Sequence, residues 1–545
     1  MARKPNLLGL NEEVIPWIKD YYEDTMADVN IVAGISGREA IFNAAVRQLG
    51  YHKVVGEDDF TSDGYTMLIN GKERRFAEKQ PDLEGRRLHV DLVQRDNYLL
   101  NMGLEQIIGF ITKWKVQEDL IKFFADKGLS HETTRYFENN RTLDVTVNAI
   151  PEGIPIFSHE PVVSVQGSFE KVQFPETLIL GTWGYQTAVA TTASYVLNIL
   201  EEFGFKKTEI ATLEGGSRRV YPGAALAATR AVLGAGFLGT SLEAIAREYP
   251  QLLNRVGGST GHSSIIHIGS DEKAFELQLM AYYRINEGDS KAAIREKIRY
   301  TKGVGPVFLI DTFDSNNGLD AAIRVMKKYG IQCQVRNDSD ISEERVKYIR
   351  ATFDNEQLGN ARIMISDDLK PWKVYNLLKK GAKFNALLMG TYLVNPYKLP
   401  GAVYKIAADQ RDPTQSQMEY ICKICTDNPE KGTLPGALDI YRIIGRDGKA
   451  DRDVRLLRRV DSIDEFMQPT DEGRIKLNTQ VITRGEITYD IPDICTLTEN
   501  TAYHLGLLRE EHKRFRDAVP YPVITSPTIE KIKREYERRF RDGKL

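Results

Sequence analysis

The sequence predicts an α/β protein built around a barrel of parallel strands. Between about residues 205 and 400, short apolar runs each end in a polar cluster and are followed by a helical pattern. Four such clusters begin 25, 30 and 24 residues apart, at Asp311, Arg336, Ser366 and Gly390. This spacing suits one strand and one helix, and continuous apolar runs are typical of buried parallel strands. We favour a barrel over a doubly wound sheet, because polar clusters follow every strand instead of one switch point.

The composition indicates a folded chain of several domains. At roughly 150 residues per domain, the 545 residues suggest three or four domains, and 42% hydrophobic against 27% charged residues excludes wholesale disorder. A net charge of −3 gives no basic field for nucleic acid. Four cysteines are too few for a disulfide framework. The chain lacks a signal-like apolar start and any 18-residue apolar stretch, so we expect a cytoplasmic protein that binds neither nucleic acid nor membrane.

Changes in pattern divide the chain into three predicted segments. Residues 1–150 form a mixed α+β domain with an insertion near 30–90, residues 151–408 form the barrel, and residues 409–545 form a mixed region that packs on the other two. Amphipathic spacing predicts helices around Met102–Lys115 and Gln117–Lys127. Residues 410–490 contain charged turns typical of surface hairpins. The last helix is expected to bury one stripe, comprising Ile529, Ile532, Tyr536 and Phe540.

The predicted strand ends carry acids and hydroxyls that would meet at one barrel mouth. Four strand-end positions carry carboxylates, and their neighbours carry hydroxyls, which suits a Mg²⁺ ion or the hydroxyls of a sugar. The carboxylates are Asp311, Asp314, Asp338 and Asp367/Asp368, and the hydroxyls are those of Ser315, Ser339 and Ser366. Arg336 and the pair Arg218 and Arg219 offer planar donors for phosphate, and Gly390-Thr391 offers backbone N–H groups. Taken singly, an Asp-Ser pair is more often a helix N-cap. Together, the clusters predict a phosphorylated sugar as ligand.

A histidine in a glycine-rich segment is the candidate reactive group. His262 lies in the run VGGSTGHSS, in which the glycines let a ligand approach the backbone closely. An exposed imidazole there can act as an acid or base, or accept a phosphoryl group. Histidines are more often structural, but this setting favours catalysis.

Two further motifs are set aside. Gly234 to Gly239 spells a dinucleotide fingerprint, but it follows a helical stretch instead of a strand. Cys422 and Cys425 have zinc-ligand spacing, but the other two cysteines lie far along the chain, and a structural zinc site usually needs two close pairs.

A set of short motifs, in order along most of the chain, resembles the nicotinate phosphoribosyltransferase family and, more distantly, the nicotinamide phosphoribosyltransferases. The matching segments begin at Asp20 (DYYEDTM), Pro151 (PEG), Glu214 (EGGSRR), Phe237 (FLGTS), Gly258 (GSTGH), Leu309 (LIDTFD), Val335 (VRNDS) and Met389 (MGTYLV). Each segment is weak alone, and the ordered set is specific.

The resemblance implies a homodimer with an irregular α/β barrel, an N-terminal domain and active sites shared between subunits. It implies synthesis of nicotinate mononucleotide and pyrophosphate from nicotinate and phosphoribosyl pyrophosphate, in NAD biosynthesis or salvage. ATP and Mg²⁺ are the implied cofactors, with ATP hydrolysis coupled through a phosphorylated histidine. Ser241 occupies the position at which the nicotinamide enzymes have Asp, which would repel a carboxylate substrate. This residue favours nicotinate.

The resemblance also assigns roles to individual residues. His262, Asp311 and Asp338 are the expected catalytic residues, and Asp311 and Asp338 are the expected metal ligands. The expected substrate-binding residues are Asp20, Tyr22 (from the neighbouring subunit), Arg218, Ser241, Arg336 and Ser339. The expected phosphate-binding residues are Arg95, Arg219, Asp367, Gly390 and Thr391.

This chain departs from the family pattern at three positions near the substrates, one of which is Asp340, where the family normally has a glycine after the Asp-Ser pair. Gly215 stands where the family has an aromatic residue against the pyridine ring, and Leu388 stands where it has the first glycine of the phosphate loop. Two alternatives therefore stay open. The acceptor is nicotinamide or another heteroaromatic base, or the chain is a non-catalytic binding protein on the same fold.

Overall fold

The computed structural model describes residues 4–47, 49, 51–53, 65–69, 72–76, 91–206, 209–300, 305–396, 399–412, 417–428 and 431–544. For residues 51–53, 65–69, 72–76 and 91–95 it describes the backbone alone.

The helices of the described residues are α1 (Tyr21–Val32), α2 (Leu104–Lys113), α3 (Glu118–Asp126), α4 (His131–Asn139), α5 (Phe169–Val172), α6 (Glu176–Glu202), α7 (Pro222–Ala235), α8 (Ala244–Glu248), α9 (His262–Ile268), α10 (Asp271–Tyr283), α11 (Lys291–Tyr300), α12 (Ser315–Tyr329), α13 (Glu343–Asn355), α14 (Pro371–Lys379), α15 (Thr391–Val394), α16 (Ile494–Leu507), α17 (Glu510–Lys513) and α18 (Pro527–Arg541). The predicted helices near residues 102 and 117 are confirmed as α2 and α3.

The strands are β1 (Glu39–Val46), β2 (Tyr51–Lys53), β3 (Tyr65–Ile69), β4 (Lys72–Phe76), β5 (Asp91–Arg95), β6 (Leu99–Leu100), β7 (Thr146–Ala149), β8 (Pro155–Ile156), β9 (Pro161–Ser168), β10 (Ala211–Glu214), β11 (Gly239–Thr240), β12 (Val307–Leu309), β13 (Gln334–Asn337), β14 (Arg362–Ile365), β15 (Ala386–Met389), β16 (Ala402–Asp409), β17 (Glu419–Tyr420), β18 (Leu438–Gly445), β19 (Ala450–Leu457), β20 (Asp471–Lys476), β21 (Thr479–Thr483), β22 (Glu486–Ile487) and β23 (Val523–Thr525).

The centre of the protein is a parallel sheet that curls into a half-barrel. Its six strands run in the order β11-β10-β15-β14-β13-β12, and every described pair among them is parallel. The helices α12, α13 and α14 connect β12 to β15 in turn. The predicted α/β fold with an incomplete barrel is confirmed, and so are four of its predicted strands.

The half-barrel has an apolar layer on each side of the sheet. Outward-facing residues such as Phe308, Val335 and Leu387 join the large core beneath the surrounding helices. Inward-facing residues form a separate small cluster in the lumen, consisting of Val307, Met364 and Ala386 with Ala211, Leu213 and Leu388. Because strand side chains alternate between the two faces, the last inward-facing residues at the carboxyl ends of these strands line the mouth.

A second, antiparallel sheet lies beside the half-barrel. It has seven strands in the order β17-β16-β1-β9-β7-β21-β22, so it takes strands from all three predicted segments. A second core, formed largely by the N-terminal helices, includes residues of this sheet. Within the predicted insertion, β3 and β4 pair as an antiparallel hairpin, while β1 pairs with β16 and β9. The segment boundaries at 150 and 408 stay a prediction.

The C-terminal region contains the predicted hairpin, β18 paired with β19. Its interior holds a fully buried ion pair, in which Arg442 Nη2 lies 2.7 Å from Asp453 Oδ2. The predicted apolar stripe of α18 is partly wrong, because Ile529 is buried whereas Phe540 is 49% exposed. No helix among the described residues has the length and apolarity that crossing a membrane requires.

Candidate active site at the barrel mouth

Strand register aligns a ring of side chains at the carboxyl ends of the half-barrel. Paired residues include Leu309 with Arg336, Asn337 with Ile365, and Ile365 with Leu387. Continuing this register by one or two residues toward the carboxyl end of each strand brings five side-chain positions to the same level. We call these residues the mouth layer, and they are Asp311, Asp338, Ser366, Leu388 and Leu213. The predicted convergence of the strand-end clusters therefore occurs.

Two carboxylates occupy adjacent positions in the mouth layer. Asp311 Oδ2 accepts a hydrogen bond of 3.0 Å from the backbone N–H of Asp338. Ser366 donates its hydroxyl to Asp338 Oδ1. The second oxygen of Asp311, Oδ1, is buried and has no hydrogen-bond partner among the described residues. A buried oxygen of this kind normally has a partner, so this atom is available to a ligand.

His262 faces these carboxylates from the first residue of α9. Its Nδ1 lies 3.1 Å from the hydroxyl of Thr312, and its Nε2 lies 3.5 Å from Asp338 Oδ2. The histidine side chain is 40% exposed, so a ligand in the mouth can reach it. The structure thus brings together all three residues expected to be catalytic, His262, Asp311 and Asp338. Sequence reasoning missed Thr312, although it follows Asp311 directly in a cluster already singled out.

Arg336 also points into the mouth. Its Nη1 donates to the hydroxyl of Ser259 at 2.9 Å, and its Nη2 lies 3.5 Å from Asp338 Oδ2. Its buried Nε has no hydrogen-bond partner in the described part of the chain. A guanidinium fork held in this way can bind a phosphate or carboxylate of a ligand.

The Asp367-Asp368 loop adds negative charge beside the mouth layer. Burial raises the pKa of Asp367, and the charges of Asp338, Asp368 and Asp311 raise it further, while Lys373 opposes the shift. Both loop residues have left-handed backbones, with φ of +81° at Asp367 and +35° at Asp368. Asp367, an expected phosphate-binding residue, therefore lies among other carboxylates. A phosphate bound there needs a cation to offset the negative charge of these carboxylates.

The expected phosphate-binding segments meet on the other side of the mouth. Arg218 and Arg219 lie in a short 3-10 turn and are exposed. A Cβ atom added to Gly216 would lie 2.6 Å from the carbonyl oxygen of Gly390, so the two loops are in contact. Gly390 and Thr391 begin α15. Arginines and backbone N–H groups are thus gathered as predicted.

A buried glutamate, whose role the sequence did not show, fixes the backbone around Gly215. Glu214 accepts hydrogen bonds from Thr240 Oγ1 at 2.6 Å and Thr229 Oγ1 at 3.1 Å, and also from the N–H of Gly216. The N–H of Ser241 donates to the carbonyl of Glu214 at 2.9 Å. Ser241 therefore lies beside Gly215, at the end of the strand next to β10, and its role stays a prediction.

Several expected site residues lie elsewhere. Asp20 and Tyr22 are at the start of α1, which packs on α4 and α5, and the Tyr22 hydroxyl donates to Glu176 Oε2 at 2.7 Å. Ser339 is exposed, and its carbonyl accepts from Asn337 Nδ2. Asp314, in the same cluster as Asp311, caps α12 by accepting from the N–H groups of Asn316 and Asn317. The Arg95 side chain lies outside the described residues.

The acids of the mouth suit a Mg²⁺ ion held by few protein ligands. Among the described residues, no group of three or more His, Cys, Asp or Glu side chains is arranged to hold a metal. Mg²⁺ commonly keeps several waters and uses one or two carboxylates plus substrate phosphates. The unpartnered Oδ1 of Asp311, with Asp338 beside it, fits that pattern.

Fold and site together define an α/β half-barrel protein with a polar, partly charged ligand site at its strand ends. Residues 439–533 match the sequence model of the nicotinate phosphoribosyltransferase C-terminal domain. The nicotinate phosphoribosyltransferase of Bacillus subtilis is 27% identical over 452 residues, covering 79% of this chain and 85% of that protein. The human nicotinate phosphoribosyltransferase is 24% identical over 501 residues, covering 80% of this chain and 88% of its own.

Solved structures show the same fold. The crystal structure of human nicotinic acid phosphoribosyltransferase matches with a TM-score of 0.63 at 20% identity, over 94% of this chain and 98% of that one. A nicotinate-nucleotide pyrophosphorylase from Pyrococcus furiosus matches with a TM-score of 0.59 at 17% identity, over 91% and 96%. The resemblance to the nicotinate phosphoribosyltransferase family that the motifs indicated is confirmed.

Proposed function

We propose that this chain is a nicotinate phosphoribosyltransferase, which forms nicotinate mononucleotide and pyrophosphate from nicotinate and phosphoribosyl pyrophosphate. The printed names of its relatives support an enzyme of this kind. The single observation that carries the proposal is the meeting of His262, Asp311 and Asp338 at one end of the half-barrel.

The transfer replaces one bond at the anomeric carbon of the ribose with another. The bond from that carbon to the pyrophosphate oxygen breaks, and the pyridine nitrogen forms the new bond with its lone pair. Asp311 and Asp338 face the hydroxyls and the developing positive charge of the sugar, while Arg336, Arg218 and Arg219 hold phosphate groups. Bound Mg²⁺ would neutralise charge on the leaving pyrophosphate, with Asp311 and Asp338 as its expected ligands.

ATP coupling through His262 is part of the proposal. If Nδ1 carries the proton and donates it to the Thr312 hydroxyl, Nε2 keeps its lone pair and faces the mouth. Nε2 then takes the terminal phosphoryl group of ATP, ADP leaves, and water later releases phosphate from the imidazole. Thr312 is a positioning residue in this step, because its hydroxyl holds the imidazole ring through the contact with Nδ1.

A homodimer would complete the site. Tyr21, Tyr22, Val29 and Val32 are 43%, 44%, 65% and 60% exposed on and around α1. In the proposed dimer this surface faces the half-barrel of the second subunit, where Asp20 and Tyr22 approach the base. We further propose that the protein acts in the cytoplasm in NAD biosynthesis or salvage.

The test is turnover with nicotinate, phosphoribosyl pyrophosphate and Mg²⁺, with and without ATP. We expect nicotinate mononucleotide to form, and we expect ATP to stimulate its formation. In His262→Ala, ATP stimulation should disappear while circular dichroism and the unfolding midpoint stay close to those of the wild type. A folded wild-type protein that makes no mononucleotide would refute the proposal and favour a non-catalytic binding protein.

Another acceptor base is the second candidate, and Gly215 is the observation that favours it. With no side chain at this position, the mouth offers a differently shaped space for the base. A panel of nicotinate, nicotinamide and other heteroaromatic bases decides between the candidates. If the enzyme used another base faster than nicotinate, the result would favour this second function.

A further inference from the structure

The mouth layer has a polar half and an apolar half. Asp311, Asp338 and Ser366 lie at the ends of β12, β13 and β14. Leu388 and Leu213 lie on the adjoining strands β15 and β10. Leu388 is half-buried, and it packs on the apolar cluster that fills the lumen. A ligand lying across this layer therefore meets charge and hydroxyl groups at one end and aliphatic carbon at the other.

Leu388 covers the space that a side chain at position 215 would occupy. A Cβ atom built on Gly215 would lie 2.8 Å from Leu388 Cδ1 and 3.2 Å from Leu388 Cγ. A Cβ atom at 2.8 Å would force a shift, and the atom that has to move is the end of the flexible Leu388 side chain. In this conformation, Leu388 and a side chain at 215 exclude each other, so the two unusual residues of the sequence form one spatial pair.

The backbone around this pair is held in place from several directions. The N–H of Gly215 donates to the carbonyl of Met389 at 2.8 Å. Glu214 is fully buried and accepts from Thr240 and Thr229. A backbone shift that would separate position 215 from Leu388 has to break these bonds, so a side chain at 215 could be accommodated only by a different rotamer of Leu388.

We propose that Leu388 is a specificity-determining residue, whose aliphatic side chain forms the wall on which one face of the heteroaromatic base packs. This inference rests on the proposed function and names the surface that receives its base. Ser241 lies on the neighbouring strand end, next to Gly215, and offers a hydroxyl at the edge of the ring. An aliphatic wall of this kind binds by burial of apolar area instead of ring stacking.

The experiment measures KM for nicotinate and for phosphoribosyl pyrophosphate in matched variants. Leu388→Ala should raise KM for nicotinate about tenfold and leave KM for phosphoribosyl pyrophosphate within about twofold. Leu387→Ala is the control, because Leu387 is the next residue of β15, is fully buried, and faces the helices. It should lower the unfolding midpoint without changing the ratio of the two KM values.

A second pair of variants tests the exclusion between the two positions. Gly215→Phe alone should raise KM for nicotinate, because its Cβ meets Leu388. Adding Leu388→Ala to Gly215→Phe should recover much of the lost affinity. Such a rescue is expected from a shared space and not from two independent structural defects.

Three results would overturn the inference. They are an equal change in KM ratio for Leu388→Ala and Leu387→Ala, a selective rise in KM for phosphoribosyl pyrophosphate in Leu388→Ala, or no rescue in the double variant. If the folded wild type shows no turnover, the proposed function fails, and calorimetry of nicotinate with wild type and Leu388→Ala decides the inference separately. Equal affinities, or no binding by the wild type, would then overturn it.

Discussion

Two clusters of charged side chains in this protein differ in how completely their hydrogen bonds are satisfied. Arg230 of α7 is 1% exposed and forms ion pairs with two glutamates, Glu105 and Glu152. Its Nη1 and Nη2 lie 2.8 and 2.7 Å from the two carboxylate oxygens of Glu152, and its Nε donates to Glu105 Oε2 at 3.0 Å. Although burial opposes the effect, Arg230 lowers the pKa of Glu152.

The mouth of the half-barrel holds charges that are only partly satisfied. Asp311 Oδ1 and Arg336 Nε are buried without a hydrogen-bond partner in the described residues. A buried polar atom without a partner costs about 1–3 kcal/mol, and the Arg230 cluster shows that this fold can satisfy such atoms. Interior atoms of the described residues such as Arg442 Nη1 also lack a partner. The mouth differs because its unpartnered atoms lie beside His262, which is 40% exposed, so a ligand can reach them.

The largest expected effect is on stability, in the variant Arg230→Met. Removing this arginine leaves Glu105 and Glu152 buried without their cation, so we expect the free energy of unfolding to fall by about 3–5 kcal/mol. Denaturant titration of the purified variant measures this change. Arg324→Met is the control, because the Arg324–Glu272 pair is exposed and should contribute less than about 1 kcal/mol. Similar losses in both variants would contradict the structural role of Arg230.

Asp338→Asn should have the opposite profile. The amide keeps the shape of the side chain but loses the charge, so stability should change by less than about 1 kcal/mol. Loss of charge-assisted hydrogen bonds to the donor, at about 1.5–3 kcal/mol, should raise KM for phosphoribosyl pyrophosphate about tenfold to hundredfold. Steady-state kinetics and denaturant titration on the same preparation give both values. An unchanged KM would show that Asp338 does not face the donor.

The smallest effect is expected for Asp314→Ala, which separates capping from binding within one cluster. Asp314 is three residues from Asp311, but its carboxylate is used by the N-terminus of α12. We expect a loss of about 1 kcal/mol in stability and a KM for phosphoribosyl pyrophosphate within about twofold of the wild-type value. A KM as high as that of Asp338→Asn would instead place Asp314 in the site.

The barrel elements could be predicted because their physical cause is local. A parallel strand covered on both faces is a continuous apolar run, and β12, β14 and β15 appear as such runs in the sequence. The recurring acids after them indicated the mouth layer. The glycine-rich run around His262 indicated that residue, and the ordered motifs supported it.

Other features depend on contacts between distant parts of the chain. The bond between His262 and Thr312 depends on how the start of α9 lies against the loop after β12, and no pattern within either segment shows it. Gly215 and Leu388 look like unrelated departures until the register of β10 and β15 brings them together. Phe540 was predicted to be buried because helical spacing shows a stripe but not where the supporting surface ends.

Hydrogen–deuterium exchange with and without phosphoribosyl pyrophosphate and Mg²⁺ tests most directly whether the mouth is the ligand site. We expect slower exchange in peptides containing His262, Asp311, Asp338 and Ser366, with no change around Arg230 on α7. Unchanged exchange in the four mouth peptides, or protection confined to another part of the protein, would contradict it.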